Sequence, residues 1–193
     1  MLYVDGEMPH CLMKERVKSL MPKDMSFPRK DSLRFLCANS QPLEVNFPNL
    51  STLDGQKALM PRLEGVDLLI LDSVVTLMSG IDENDAKSWA PIQEWFLFLR
   101  KRGISILIAH HDNRGGTQRG TSAKEDILDS VIHLRKLSTN EKATVTMTFT
   151  KSRGFLPSEQ DAPTIQLVDL QDGKRTWKLY ESDDDRKKNS LCD

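Results

Sequence analysis

The chain has 193 residues, with 27 Lys and Arg against 28 Asp and Glu and a formal net charge of −1. Its 38% hydrophobic and 28% charged content is that of a globular protein the size of one ordinary domain, which excludes collagen-like, mucin-like and wholly disordered chains. Charge so close to neutral exerts no global pull on nucleic acid, so any such contact has to come from local basic clusters. The most apolar stretch, Val66 to Met78, is interrupted by Asp67 and Asp72 and falls short of the roughly 20 apolar residues of a membrane span. The first ten residues carry Asp5 and Glu7 and no basic region ahead of an apolar core, so a cytoplasmic address without a secretory signal is expected. Cys11, Cys37 and Cys192 are odd in number and far apart, the pattern of reduced thiols rather than of a disulfide framework or a metal site.

In chain order, Leu2 to Gly6 (LYVDG) reads as a short buried strand. Pro9 suits the first turn of a helix whose apolar positions, Leu12, Met13, Val17 and Leu20, recur at helical spacing until Pro22. Leu33 to Cys37 is a second short strand, and Ser51 to Arg62 reads as helix. Asp67 to Asp72 (DLLILD) has the continuous apolar run of a central parallel strand buried on both faces. Asn84 is positioned to cap the next helix, in which Trp89, Ile92, Phe96 and Leu99 form the core stripe and Lys101, Arg102 and Gly103 the stop. Ile104 to Ala109 (ISILIA) completes a strand–helix–strand unit as another buried strand.

The segment from Asp112 to Gly120 (DNRGGTQRG) has no apolar side chain and reads as a mobile surface loop, followed by a short helix from Ser122 to Leu128. Val131 to Leu137, Thr144 to Thr150, Ile165 to Leu170 and Thr176 to Tyr180 are expected strands, with turns at Asn140-Glu141, Gly154 and Asp172-Gly173. Residues 181–193 form a charged tail expected to be disordered, after a domain spanning 1–180.

In open parallel sheets ligands bind beyond the carboxyl ends of the strands. Four polar groups follow predicted strands: Glu7, Asp72, His110-His111 and Lys151-Ser152-Arg153. Asp72 has the placement of a Walker B aspartate, which orients Mg²⁺ through water, and equally that of a strand-end Asp bonded to the following turn. Glu7 is placed to activate a water as general base, or to favour the start of the helix after it. His110 and His111, as neighbours on a strand, point to opposite faces and make a poor metal pair. One of them facing the cleft as a donor to phosphate is the better functional reading, and a plain strand-end histidine the other. Lys151 and Arg153 lie on one side of an extended chain, where both reach a single phosphate or simply face solvent. Arg114, Gln118, Arg119 and Lys124, among flexible glycines, suit contact with a nucleic-acid backbone, and equally a solvated loop. Without interleaved aromatics they make no base-stacking platform.

Taken in order, YVDGEMP, LLILDSV, IDENDAKSW, ILIAHHDNRGGTQRGTS and TKSRGF resemble the RecA-like ATPases of the AAA group related to the RepA replicative helicase of plasmids, over Leu2 to Phe155. The resemblance implies an α/β RecA-like P-loop NTPase core, with a mostly parallel central sheet flanked by helices and a C-terminal β-rich extension. It implies ATP and Mg²⁺ as cofactors, with Glu7 activating water, and Asp72, His110 and Ser73 at the nucleotide. Asp72 would hold Mg²⁺ through water, and His111 would sense the γ-phosphate. Lys151 and Arg153 correspond to a finger pair inserted into a neighbouring subunit's site. Arg114, Gln118, Arg119 and Lys124 would face DNA, and the protein would assemble as a ring or filament without a membrane partner.

The ten glycines include no GxxxxGK[ST] loop. The expectation is therefore a carboxyl part of a longer ATPase, lacking the family's first strand and P-loop, weakly stable and inactive by itself. Two alternatives remain: a non-catalytic module that docks on intact ATPase subunits or on DNA, and a recombination or repair ATPase that forms filaments.

Overall fold

The computed structural model describes residues 1–21, 31–42, 44–82, 85–111, 125–137, 143–154, 163–170 and 174–180. These divide into two compact units, one drawn from Met1–Glu15 and the described residues of 31–127, the other from 16–21 and the described residues of 128–180.

The first unit is built on four parallel strands, β1 (Leu2–Asp5), β2 (Arg34–Cys37), β3 (Leu68–Asp72) and β4 (Ser105–Ile108), in the order β2-β1-β3-β4. Alternation along the strands sends Leu2, Val4, Leu36, Leu69 and Leu71 to one face, where all five are buried. Against that face pack residues of helix α4 (Ala86–Lys101), including Trp89, Ile92, Phe96 and Leu99, together with Leu50 and Leu59. The predicted stripe is thus core, and Trp95 joins it. The opposite face carries Tyr3, Asp5, Phe35 and Ile70, with the Tyr3 and Phe35 rings tilted at 5.6 Å between centroids.

Local rules set the remaining elements. Helix α1 (His10–Leu20) follows Pro9, but of its expected apolar stripe Met13 is buried whereas Leu12 is exposed. Helix α2 (Leu53–Leu59) starts where the Thr52 side chain accepts the Gly55 N–H at 3.1 Å. Residues Val74–Leu77 form a single turn, α3, directly after β3. Helix α4 is capped by Asp85, which accepts from the Lys87 N–H at 3.0 Å and the Ser88 hydroxyl at 3.1 Å. The expected cap, Asn84, lies outside the described residues. The helix ends as predicted, at Gly103 with φ of 79°.

Two further expectations are corrected. Strand β4 is not buried on both faces: Ile106 and Ile108 pack against the core, whereas on the other face Leu107 is 55% exposed, and among the described residues β4 pairs with β3 alone. Of the helix expected over Ser122 to Leu128, residues 122–124 lie outside the described residues; Glu125 is 3-10 helical, Asp126 and Ile127 form a turn, and Leu128 is in no regular element. Strand β3 is central as expected, with Leu69 and Leu71 fully buried and Leu68 and Ile70 partly so.

The second unit is an antiparallel sheet of β5 (Ser130–Lys136), β6 (Thr144–Ser152), β7 (Thr164–Asp169) and β8 (Arg175–Tyr180), in that order. These are the four strands read from the β-branched runs, now seen as a sheet of their own. Within this unit the end of α1 is tied to the start of β8: Lys174 donates to the Lys18 carbonyl at 2.7 Å and Arg175 to the Ser19 hydroxyl at 2.9 Å. No helix among the described residues is long and apolar enough to cross a membrane.

Candidate active site

Parallel pairing in register sets Asp5 between Cys37 and Asp72 at the carboxyl ends of β1, β2 and β3. One residue on, the Gly6 N–H donates to the Asp72 carbonyl at 2.7 Å, so the backbone remains fixed beyond the strand. The chain then turns, and the Asp5 carboxylate accepts the Glu7 N–H at 3.2 Å and the Met8 N–H at 3.1 Å. Gly6 is required here by space: a Cβ at this position would stand 2.3 Å from the Thr76 hydroxyl oxygen. Thr76 is itself held by Ser73, donating to its carbonyl at 3.1 Å and accepting its N–H at 3.4 Å.

This turn presents the Glu7 side chain to two groups from other strand ends. The Ser73 hydroxyl donates to Glu7 Oε1, and His111 Nε2 lies 3.4 Å from the same oxygen. Asn39 donates to the Glu7 carbonyl at 3.2 Å, and the Tyr3 hydroxyl donates to Asp72 Oδ2 at 2.5 Å. The Asp72–Ser73 peptide is cis. Ser73 and Asp5 are buried, while the Glu7 and His111 side chains are 39% and 65% exposed. The cluster is therefore anchored on its inner side and open to a solute on its outer side.

Burial pushes the Asp5 carboxyl up from 3.8, opposed by the two backbone N–H groups and reinforced by the charges of Asp72 and Glu7. Burial likewise pushes the Cys37 thiol up from 9.0, with the Asp5 charge adding to it. The carboxylates of Glu7 and Asp72 favour a cation, and their hard oxygens suit Mg²⁺, whereas Asp5 is buried with its oxygens engaged by backbone N–H groups. No group of three or more His, Cys, Asp or Glu side chains among the described residues could cage a metal. The donor set fits the way Mg²⁺ is ordinarily held, by one or two carboxylates with water and phosphate oxygens completing the shell.

The structure brings together Glu7, Ser73 and His111, with Asp72 paired in register beside Asp5. It is His111 that meets Glu7; His110, adjacent to it, is half-buried. Lys151 and Arg153 belong to the second unit, at the end of β6, so the rule for open parallel sheets does not extend to them. Lys151 is opposite Val131, and Arg153 pairs with Asp129 through a 3.2 Å ion pair and a 2.9 Å backbone bond. Arg114, Gln118, Arg119 and Lys124 lie outside the described residues. Sequence reasoning passed over Asp5, Tyr3 and Thr76. For Asp5 the signal was available: an Asp at a strand end just before glycine is well suited to bond the following turn.

A four-stranded parallel sheet carrying polar residues at its carboxyl ends, with an antiparallel sheet after it in sequence, is consistent with a RecA-like α/β core. Among solved structures, the chain is similar to a KaiC-like protein from the hyperthermophilic archaeon Pyrococcus horikoshii OT3. That likeness has a TM-score of 0.62 at 12% identity and covers 93% of this chain and 74% of the other. Residues 1–117 match the AAA_25 family of AAA domains, and the chain belongs to that family. No curated protein matches it at a significant level.

Proposed function

We propose that the chain carries the water-activating part of an ATPase. The observation that carries this reading is the meeting of Glu7 with Ser73 and His111 at the carboxyl edge of the parallel sheet, beside Asp72. In this reading a water attacks the γ-phosphorus of ATP in line and its proton passes to Glu7. The bond to the bridging oxygen breaks, its electron pair leaving with ADP. Asp72 would hold Mg²⁺ through water, with Ser73 and His110 nearby, and the bound ion supplies charge neutralisation at the phosphates. His111, already touching Glu7, is placed to register the γ-phosphate. Lys151 and Arg153 would neutralise transition-state charge in a neighbouring subunit of a ring or filament.

The grip on the β- and γ-phosphates is the part these residues do not supply, since the sequence contains no GxxxxGK[ST] loop. Among the described residues β4 pairs with β3 alone, which leaves its other edge to accept a further strand, and a phosphate-binding loop from outside these residues would complete the site. The same missing motif favours a second reading, a non-catalytic module docking on intact ATPase subunits or DNA.

The test measures Mg²⁺-dependent ATP turnover by the 193-residue chain and by a polypeptide joining it to an in-frame segment that bears such a loop, with and without DNA. Glu7→Gln is expected to lower turnover by about 10²-fold or more. Unchanged turnover in that variant sinks the hydrolytic reading. Stable folding of the chain with binding to an intact homologue, and turnover in neither polypeptide, supports the docking module. For DNA, Arg119→Ala is expected to weaken binding and flatten its salt dependence. Rings or filaments in electron micrographs separate a helicase-like from a recombination-like assembly.

A further inference from the structure

Glu7 is half-exposed and its side chain is long, so by itself it would sample many rotamers. Its backbone, in contrast, is held from several sides. The Asn39 side chain bonds its carbonyl, the Gly6 N–H before it is tied to β3, and the Asp5 carboxylate takes its N–H together with that of Met8. Asp5 is the buried member of this set, with 1% of its surface exposed, and the only one that grips through a carboxylate. A single acceptor oxygen, Asp5 Oδ1, lies 3.2 Å from the Glu7 nitrogen and 3.3 Å from the Met8 nitrogen, so a side chain that keeps this oxygen in place holds both amides. A shift of about 1 Å in a reacting group can cost about 10²-fold in rate.

We propose that Asp5 is a positioning residue, whose grip on the Glu7 and Met8 amides aims the Glu7 carboxylate at the site formed with Ser73 and His111. The inference rests on the hydrolytic reading of Glu7, and its structural half is measurable without turnover. Asp5 touches no reacting atom and acts through Glu7 alone.

The test uses the full chain for amide hydrogen exchange, and the loop-bearing polypeptide described above for kinetics. Asp5→Ala is expected to raise exchange at the Glu7 and Met8 amides by roughly tenfold or more, leaving the amides of β3 and α4 unchanged. It is also expected to lower kcat by about 10- to 100-fold with KM nearly constant. Asp5→Asn, which keeps an acceptor oxygen, should recover most of kcat. Asp5→Glu, which keeps the charge and changes the reach, should not.

Unchanged exchange in Asp5→Ala overturns the proposal, as does a full kcat in Asp5→Glu. Should Asp5→Ala fail to fold, Asp5→Asn and Asp5→Glu decide by their kcat values. Unaltered turnover in Glu7→Gln overturns the reading of Glu7 and the catalytic consequence of Asp5 with it. The exchange data then report separately on whether Asp5 holds the turn.

Discussion

A Cβ on Gly6 would stand 2.3 Å from the Thr76 hydroxyl oxygen and 2.8 Å from its Cβ, so the turn that leaves β1 lies directly on α3. The contact joins the segment carrying Glu7 to the segment that follows Asp72 and Ser73. It allows the Ser73 hydroxyl to reach Glu7 across 66 positions of sequence.

Gly6→Ala must therefore push the turn away from α3. The expected cost is about 1–3 kcal/mol in urea unfolding, the usual range for overpacking a tight interior. Adding Thr76→Ala should recover part of it, since the hydroxyl goes while the Cβ at 2.8 Å remains. Additive losses in the double variant would contradict the contact.

Gly55 gives a sharper case, because a Cβ there would lie 1.9 Å from the Asn49 carbonyl oxygen, a backbone atom unable to rotate aside. Gly55→Ala is expected to cost about 3 kcal/mol or more. Gly65, at φ of 67° in open space, should cost only about 1 kcal/mol when changed to Ala. Thermal unfolding of the two variants checks the order, Gly55→Ala melting lower.

The described cysteines should differ in reactivity. Cys11 is exposed and Cys37 buried with its thiol pushed up from 9.0, so a thiol reagent at pH 8 should modify Cys11 rapidly and Cys37 only on unfolding. The shift also fixes a sign. Because the folded state holds the Cys37 proton more tightly than the unfolded one, its contribution to stability is full below pH 9.0 and declines as pH rises through the raised folded value. Urea unfolding of the native chain compared with Cys37→Ala should show the native chain losing ground only above about pH 9. A constant difference up to pH 11 would refute the assignment.

With Glu7 as proton acceptor, Ser73→Ala removes the hydroxyl bonded to its Oε1 and should lower kcat by about tenfold. The fold should hold, since the change deletes one oxygen. A kcat equal to that of the unaltered polypeptide would show that Ser73 has no part in orienting Glu7.

The sequence made the parallel core legible where periodicity is strong. DLLILD is a central strand, and Trp89, Ile92, Phe96 and Leu99 are core, because continuous apolar runs and helical stripes record burial directly. Periodicity does not record neighbours: ISILIA reads as buried, yet one face of β4 leaves Leu107 exposed, since apolar lettering carries no information on what covers each face. The Asp85 cap was one residue from the expected Asn84, two residue types of similar capping strength. At the site, the positions of Glu7, Asp72 and His111 were legible from strand ends. The roles of Asp5 and Thr76 were not, because a buried carboxylate and a threonine under a glycine acquire meaning only once β1 and β3 are in register.

Glu7, Ser73 and His111 come from three distant stretches of chain, and side-by-side strands running the same way have no tight loop to nucleate them. Nothing short excised from this polypeptide can reproduce their meeting. During folding, the carboxylate, hydroxyl and imidazole must find one another late, after β1, β3 and β4 have closed long crossovers. Any chemistry they perform is in this sense a certificate of completed topology: a half-folded chain carries the same residues and lacks the site.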